Sequence, residues 1–391
     1  MRTYTVLRDL AAPTTAGPFE RARGVRAGAE APGEPRIDVV SMDIKEVAGL
    51  SRDPDVRAIA PVMPTHLIEP VSEGTATKGQ TAWGITAVGA DVSSRTGAGV
   101  VCCVLDTGID AAHAAFSGVS ILEQDFSGTG NGDKQGHGTH CAGTVIGRDV
   151  DATRIGVARG VQKLLIGKVL GDDGSGDSDM IFRGIQWAVQ EGAQVLSMSL
   201  GFDFPGLVRR LVDQGWPADL ATSAALEAYR ANLRMFDALM GIVRSREAFG
   251  GGTIVVAAAG NESRRDVDPD YEIAVSLPAA ADGVVSVGAL QQTTGGLGIA
   301  RFSNTFPQVS APGVDVLSAR MGGGLRSLNG TSMATPHVAG VAALWWEDVL
   351  ASGLPNPTAG VLAKLFSSAT TGDLVAGLDA ADRGFGLVRA P

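Results

Sequence analysis

Cysteine, aromatic side chains and long apolar runs are all scarce in this chain of 391 residues. Its cysteines, Cys102, Cys103 and Cys141, are too few for a disulfide framework. Two of them are adjacent on a predicted buried strand, so we expect reduced thiols. No run of about eighteen apolar residues occurs, which argues against a membrane-spanning helix or a membrane partner. The net charge of -10 argues against nucleic acid as the main partner.

The N-terminus also lacks the pattern of a secretory signal. Residues Met1–Leu7 alternate like a strand, and no succession of basic, apolar and small residues follows. We therefore expect a cytoplasmic protein, or a secreted one if a leader precedes this sequence. The residues leave both possibilities open.

Glycine is abundant, with 53 residues, in a composition that is 45% hydrophobic. A chain of this length can bury one large core and a small second domain. Residues 1–70 predict a small α+β domain, and residues 71–82 predict an exposed, easily cleaved linker. The elements of the small domain are predicted at Tyr4–Leu7, Ile37–Ser41, Ile44–Leu50 and Val56–Val62, with a loose connection over 11–35. Asp43 is predicted to cap the helix, with Glu46 at the capping-box position.

From residue 83 to residue 391 the pattern changes to continuous apolar runs bounded by glycine and aspartate. The runs lie at Gly99–Leu105, Lys163–Val169, Gln194–Ser199, Thr253–Ala259 and Gly283–Gly288. Helical patterns such as Ile181–Glu191 and Pro336–Trp346 separate them. Continuous apolar runs indicate strands that are buried on both faces. They predict an α/β fold with a doubly wound, mainly parallel sheet and helices on both faces, whose chemistry lies beyond the carboxyl ends of the strands.

Four polar side chains occur where that rule expects them. Asp106 ends a strand run, His137 lies in G-H-G-T-H-C-A-G, Asn261 ends A-A-A-G-N, and Ser332 opens a helix in N-G-T-S-M-A-T-P-H-V-A-G. Each has an ordinary explanation when taken alone: a cap or turn for the serine and the aspartate, an Asx turn for the asparagine, and a metal pair with His140 for the histidine. Together they supply a nucleophile, a base, a carboxylate to hold that base and an amide to bind an oxyanion.

These segments resemble those of the subtilisin-like serine proteases, the subtilases. The matching motifs are V-L-D-T-G-I-D, G-H-G-T-H-C-A-G-T, A-A-A-G-N and G-T-S-M-A-T-P-H-V-A-G, in that order, and the likeness extends over residues 83–391. The cysteine in the histidine motif is similar to that of the proteinase K branch. The resemblance implies a subtilisin-like fold and a serine endopeptidase that hydrolyses polypeptides through an acyl-enzyme.

The resemblance also implies the roles of individual residues. Ser332 is the expected nucleophile, His137 its general base and Asp106 the group that orients the base. Asn261 and the Ser332 N–H are expected to bind the oxyanion. The expected substrate-binding residues are Ser199, Leu200, Gly201, Gly174, Ser175, Gly176 and Gly260. They form two edges that hold an extended peptide mainly through its backbone, and the alternative for the glycines is a plain turn role.

The N-terminal unit resembles a subtilase propeptide of ferredoxin-like fold, through its β-α-β order and its segment D-P-D-V-R-A-I-A-P-V. This implies a zymogen whose own N-terminal domain assists folding and acts as an intramolecular inhibitor. Autocatalytic cleavage is then expected between Leu67 and Lys78. The alternative is a permanent accessory domain. We expect a monomer.

No cofactor is expected to be required. The carboxylates of the family's usual calcium sites are not evident, since Ala115 and Gln308 stand at two of those positions. Asp149 and Asp151 nevertheless lie in a loop that has weak calcium-binding potential. Calcium therefore remains possible, and stability without it is equally open.

An insertion within residues 202–250 departs from the family pattern and is predicted to form a helical hairpin. Its first helix begins at Pro205 and stops at Gly215. Its second helix runs from Ala218 to Phe249, with apolar residues at spacings of three and four. This apolar seam consists of Leu226, Tyr229, Leu233, Phe236, Met240 and Val243. Either the seam packs on the catalytic domain or the first helix, or the hairpin projects beside the groove and restricts access to it or recruits a partner.

The main prediction is therefore a serine endopeptidase that processes its own N-terminal domain. A peptide ligase or macrocyclase would use the same acyl-enzyme. A catalytically silent peptide-binding module would keep the groove without the chemistry.

Overall fold

The structure is a computed structural model that describes residues 1–9, 35–73, 81–245, 247, 252–353 and 357–391. Its N-terminal elements are β1 (Arg2–Asp9), β2 (Pro35–Met42), α1 (Ile44–Leu50), β3 (Val56–Pro61), β4 (Pro64–Leu67) and β5 (Ser72–Glu73). The next elements are α2 (Trp83–Ala87), β6 (Val101–Asp106), β7 (Ser120–Asp125), α3 (His137–Ile146), β8 (Lys163–Lys168), β9 (Ser175–Asp177), α4 (Ser178–Gln190), β10 (Val195–Met198) and β11 (Leu200–Phe202). The last elements are α5 (Phe204–Asp213), α6 (Ala218–Ser245), β12 (Ile254–Ala258), β13 (Val284–Thr293), β14 (Gly296–Ile299), β15 (Val309–Pro312), β16 (Val316–Ala319), β17 (Leu325–Asn329), α7 (Thr331–Ser352), α8 (Pro357–Ser367) and α9 (Ala380–Arg383).

The N-terminal unit is built on a three-stranded antiparallel sheet in the order β2-β1-β3. Its predicted helix is observed as α1, with the predicted capping box. The Asp43 carboxylate accepts from the Glu46 N–H at 2.9 Å, and the Glu46 carboxylate accepts from the Asp43 N–H at 2.7 Å. The predicted loose connection lies outside the described residues except at Pro35, and so does the linker from residue 74 to residue 80.

A mostly parallel sheet forms the centre of the larger part, in the order β14-β13-β12-β10-β6-β8-β7, with β15 also pairing with β13. The strands β7, β8, β6, β10, β12 and β13 are parallel to one another, and β14 is antiparallel. The predicted doubly wound parallel sheet is therefore confirmed. The edge strand β7 was not predicted, because its residues alternate between exposed and half-buried instead of forming a continuous apolar run.

Alternate residues of the central strands enter two different cores. Cys102 and Val104 join the core that contains α3 and α7, whereas Cys103 and Leu105 join the core that contains α4 and α6. This confirms that helices cover both faces, and it explains why the strands read as continuous apolar runs. Among the described residues, no helix is both long and apolar enough to cross a membrane.

The insertion forms the predicted two helices, α5 and α6. On α6 the residues Phe236, Met240 and Val243 are buried as expected, but Leu226 is 49% exposed, so the first part of the predicted seam is wrong. An alanine face is buried instead, at Ala221, Ala225 and Ala228. The helix also packs against β3 of the N-terminal unit.

The hairpin is therefore part of the body of the protein. Phe236 lies between Phe182 and Phe202, with ring centroids 4.7 and 5.8 Å away. Asn232, also buried, donates its side-chain amide to the carbonyl of Pro61 at 2.9 Å. Since α6 contacts both the sheet core and the N-terminal unit, it cannot be a freely projecting arm.

We predict that Phe236→Ala lowers the free energy of unfolding by about 3–5 kcal/mol, because it leaves a cavity between two other aromatic rings. The matched control is Leu226→Ala on the same helix, which should cost about 0.5 kcal/mol or less. Both are measured by urea denaturation in a Ser332→Ala background that prevents self-digestion. Equal losses for the two variants would contradict this assignment of the buried face.

Candidate active site

The four predicted polar residues converge at the carboxyl-terminal edge of the sheet. Asp106 is the last residue of β6, His137 is the first residue of α3, Asn261 follows β12, and Ser332 is the second residue of α7. Asp106 and Asn261 lie near each other because the parallel strands β6 and β12 end on the same edge, and the helices α3 and α7 begin at that edge. The aspartate, histidine and serine are fully buried.

The Asp106 carboxylate binds the His137 imidazole. Nδ1 of His137 lies 2.8 Å from Oδ1 and 3.0 Å from Oδ2 of Asp106. Burial by itself lowers the pKa of His137, but the charges and hydrogen bonds of Asp106 and Cys141 together raise this pKa well above its usual value. With a hydrogen on Nδ1 donated to the carboxylate, Nε2 is the nitrogen that can act as a base.

The Ser332 hydroxyl is held by another group. Its Oγ donates to the carbonyl of Ile68 at 3.0 Å. Nε2 of His137 has no hydrogen-bond partner within the part of the chain that the structure describes. A serine becomes a nucleophile by giving its proton to a base. The site thus contains a hydroxyl, an imidazole and a carboxylate, but the hydroxyl proton points to the N-terminal segment.

Asn261 presents its amide nitrogen to the same place. Its Oδ1 accepts from the N–H and the hydroxyl of Thr331 at 2.9 and 2.8 Å, which fixes the orientation of the amide. Its Nδ2 donates to the carbonyl of Glu69 at 3.0 Å. The preceding Gly260 has φ +113, and a Cβ there would lie 2.3 Å from Nδ2 of Asn304. Glycine is therefore required at this turn for both conformation and space.

The predicted groove edges are brought together around a segment of the chain itself. Strand β4 lies between β11 and β9 and is antiparallel to both. Leu67 lies opposite Leu200, and its N–H donates to the carbonyl of Gly174 at 2.8 Å. The other predicted edge residues pair in the same ladder, with Gly201 and Ser175 opposite His66 and Gly176 opposite Thr65. An extended peptide therefore fits between these two edges as a middle strand.

The same segment continues past the site on the other side. The Val71 N–H donates to the carbonyl of Asn329 at 2.8 Å, and β5 then pairs with β17. Between the two paired stretches, consecutive carbonyls enter the site: that of Ile68 accepts from the serine hydroxyl, and that of Glu69 accepts from the asparagine amide. A peptide bond that is attacked needs both groups at one carbonyl. Here they are divided between two residues.

The backbone carbonyl of Ser332 has unusual partners. In a regular helix it would accept from the N–H of residue 336, but Pro336 has none. The hydroxyl of Ser199 donates to it at 3.2 Å and the thiol of Cys141 at 3.5 Å. Ser199, one of the predicted edge residues, therefore also binds the first turn of α7. Cys141 is fully buried, and burial raises the pKa of its thiol.

One group of possible metal ligands coincides with this site. The ligand atoms of Asp106, His137 and Cys141 all lie within 4.8 Å of one another. In the loop with predicted weak calcium affinity, the Asp149 carboxylate lies 3.7 Å from the Arg159 guanidinium, which competes for the charge that a cation would need.

Two polar side chains beside the pair were missed in the sequence analysis. Thr107 follows Asp106, and its hydroxyl accepts from the Gly138 N–H at 3.0 Å. Asp133 lies four residues before His137 and is only 9% exposed. A carboxylate just before a helix start is a signal for capping, and it is the signal that would have identified Asp133.

Comparison with known proteins gives a consistent result. A model described as the subtilase family matches residues 97–387. The subtilisin-like serine protease Pen ch 13 of Penicillium rubens is 30% identical over 345 residues, which cover 83% of this chain and 74% of that protein. Subtilisin DY of Bacillus licheniformis is 35% identical over 267 residues, which cover 67% and 83%. M-protease of Shouchella clausii is 33% identical over 316 residues, which cover 79% and 69%.

The histidines should titrate in a distinct order, because their surroundings differ. We expect the pKa of His137 to lie above its usual range. Burial lowers the pKa of His337 to about 4 and that of His140 to about 3. Asp106→Asn should lower the pKa of His137, because the neutral amide no longer stabilises the imidazolium. Nitrogen NMR on the Ser332→Ala chain measures this, with Asp110→Asn as the control. An unchanged His137 pKa in Asp106→Asn would contradict the pairing.

Proposed function

This chain belongs to the subtilase family and is a serine protease, and we propose that Ser332, His137 and Asp106 form its catalytic triad. The buried hydrogen bond between Asp106 and His137 is the observation that carries this proposal, and Cys141 contacts both the His137 ring and the Ser332 carbonyl. The pair supplies an oriented base near the start of α7, the helix that carries Ser332 in its first turn. We assign oxyanion binding to Asn261.

The reaction follows from the positions of these groups. Nε2 of His137 takes the proton of Ser332 Oγ while Oγ bonds to the carbonyl carbon of the substrate, and Asp106 stabilises the imidazolium that forms. The oxyanion accepts hydrogen bonds from Nδ2 of Asn261 and from the Ser332 N–H, which lies in the first turn of α7 where backbone donors lack helical partners. His137 then gives its proton to the leaving amine. Water repeats the sequence on the acyl-enzyme and releases the acid.

Polypeptides in extended conformation are the proposed substrates. Strands β11 and β9 leave a gap that one further strand fills, as β4 does in this structure. Hydrogen bonds to the substrate backbone then provide affinity, and side chains on alternate faces provide selectivity. A folded protein must unfold locally before a segment of it can enter this gap.

We further propose that the N-terminal domain inhibits the enzyme in the intact chain. Two observations support this. First, residues 63–73 occupy the groove on both sides of Ser332, which excludes a second peptide. Second, the serine hydroxyl and the asparagine amide bind the consecutive carbonyls of Ile68 and Glu69, and the serine proton is not donated to His137.

Maturation then requires the segment to shift by one residue before Ser332 can cut it. We propose cleavage in cis within the window from Leu67 to Lys78, with the severed domain first remaining bound. The bond after Glu69 has the nitrogen of Pro70 as its leaving group. This favours a shift that places the carbonyl of Ile68 against both Ser332 and Asn261.

The roles of the site residues are tested by substitution. Ser332→Ala should lower hydrolysis of an unstructured polypeptide by about 10⁶-fold with the fold retained. Asn261→Ala should lower it by about 10²–10³-fold. Mass spectrometry of the products separates hydrolysis from ligation, because ligation joins fragments. A Ser332→Ala chain as active as the original would refute the triad.

The register of the N-terminal segment gives a separate prediction. A variant that lacks Pro70 has one residue fewer between the two paired stretches, so one carbonyl can meet both groups. It should cut itself faster than the original chain. Pro70→Ala keeps the length and is the matched control.

The rate is followed by the intact mass of freshly folded protein. If the deletion variant and Pro70→Ala behave alike, the excess residue is not what restrains cleavage. If no variant is cut while a peptide substrate is hydrolysed, the N-terminal domain is a permanent accessory domain.

A further inference from the structure

Beyond the triad, we propose that Asp133 is a positioning residue that holds the histidine-bearing helix against the aspartate-bearing strand. The inference rests on the proposed function of Asp106 and His137. Asp133 lies in the loop before α3, and its carboxylate is nearly buried. It does not touch the His137 ring, so its effect must pass through other residues.

Both oxygens of the Asp133 carboxylate accept hydrogen bonds from residues at the start of α3. Its Oδ2 accepts from the N–H of Thr139 at 2.9 Å and from the Thr139 hydroxyl at 2.6 Å. Its Oδ1 accepts from the N–H groups of Gly136 and Gln135 at 2.7 and 3.1 Å. These residues lie on both sides of His137 in the sequence. The negative charge also suits the positive end of the helix.

The other contact reaches the end of β6. Oδ1 of Asp133 accepts from the hydroxyl of Thr107 at 3.0 Å, and that hydroxyl in turn accepts from the N–H of Gly138 at 3.0 Å. Thr107 directly follows Asp106, and Gly138 directly follows His137. The chain of hydrogen bonds therefore joins the two catalytic elements next to the residues that carry the chemistry.

The Asp133 carboxylate determines which group donates and which accepts in this series of hydrogen bonds. Because Asp133 only accepts, the Thr107 proton must point to it, and a lone pair of the Thr107 oxygen is left for Gly138. The approach is close: a Cβ on Gly138 would lie 2.2 Å from the carbonyl oxygen of Gly108. An amide at position 133 would place N–H donors against the donors of Thr139 or of Thr107. Either clash displaces the helix start relative to the strand.

The consequence for catalysis is specific. The helix start carries His137, so a displacement changes the distances from its ring to Asp106 and Ser332. The groove edges β9 and β11 are not part of this chain of hydrogen bonds. A change at Asp133 should thus lower kcat and leave KM nearly unchanged.

The test compares Asp133→Asn and Thr107→Val with the original enzyme on a small chromogenic peptide. The variants are processed by a trace of tagged wild-type enzyme, which is then removed. We expect kcat to fall about 10–100-fold in each variant, the range expected for a misplacement of 1 Å or less. KM should change less than about twofold. Thr107→Val retains Asp133 and removes the hydroxyl that links it to Gly138, so it tests the proposal if Asp133→Asn fails to fold.

Glu347→Gln is the matched structural control. One oxygen of Glu347 accepts from the N–H groups of Thr96, Gly97 and Ala98 at 2.7, 2.7 and 3.2 Å, so this carboxylate also organises a loop, but away from the site. Its substitution should lower thermal stability and leave kcat unchanged. If Asp133→Asn behaves in the same way, Asp133 is only a structural cap.

A second test introduces Asp133→Asn into the His137→Ala variant, which has no imidazole ring to position. Asp133→Asn should remove no further activity there, because residues that act as a unit are not additive. An equal loss in both backgrounds would overturn the proposal. If His137→Ala itself keeps full activity, the proposed triad fails, which is a different outcome from failure of the Asp133 proposal.

Discussion

The buried hydrogen bond between Asp106 and His137 is the constraint on which the rest of the structure depends. Both side chains are excluded from water, and breaking such a pair by removing one partner costs about 3–5 kcal/mol. The pair therefore fixes where strand β6 ends relative to where helix α3 begins. Asn261 reaches the site from the end of the neighbouring strand β12, and Ser332 reaches it from the start of α7, which follows β17 of a separate sheet. The parallel sheet is the arrangement that brings these ends together.

The amino-acid sequence predicts the structure correctly where neighbouring residues determine it. The two-sided burial of the central strands was predicted correctly because adjacent residues such as Cys102 and Cys103 are both apolar and enter different cores. The cap of α1 was predicted correctly because Asp43 and Glu46 act within one helical turn. The four candidate site residues lie close to strand ends or helix starts, as their motifs predict, and the structure brings them to one edge of the sheet.

Local sequence patterns do not predict the parts of the structure that depend on residues far away in the sequence. Leu226 has the right spacing for the apolar seam, but the structure leaves it exposed and buries Ala221, Ala225 and Ala228 of the same helix. Val71 and Ser72 of the predicted linker are exposed as expected, but the hydrogen bond between Ser72 and Asn329, 257 positions away, was not predicted. No pattern within either segment indicates such a pairing. The division of the two reactive contacts between Ile68 and Glu69 also arises from register alone.

The proline in α7 has a consequence for how the site responds to its occupant. A helix usually keeps its own carbonyls, but here the carbonyl of Ser332 is left for the hydroxyl of Ser199 and the thiol of Cys141. Ser199 adjoins the strand that pairs with the occupant of the groove, and Cys141 belongs to the helix that carries the imidazole. Strand, nucleophile and base are thereby tied at a single oxygen atom. A displacement of either Ser199 or Cys141 therefore acts directly on the backbone of Ser332.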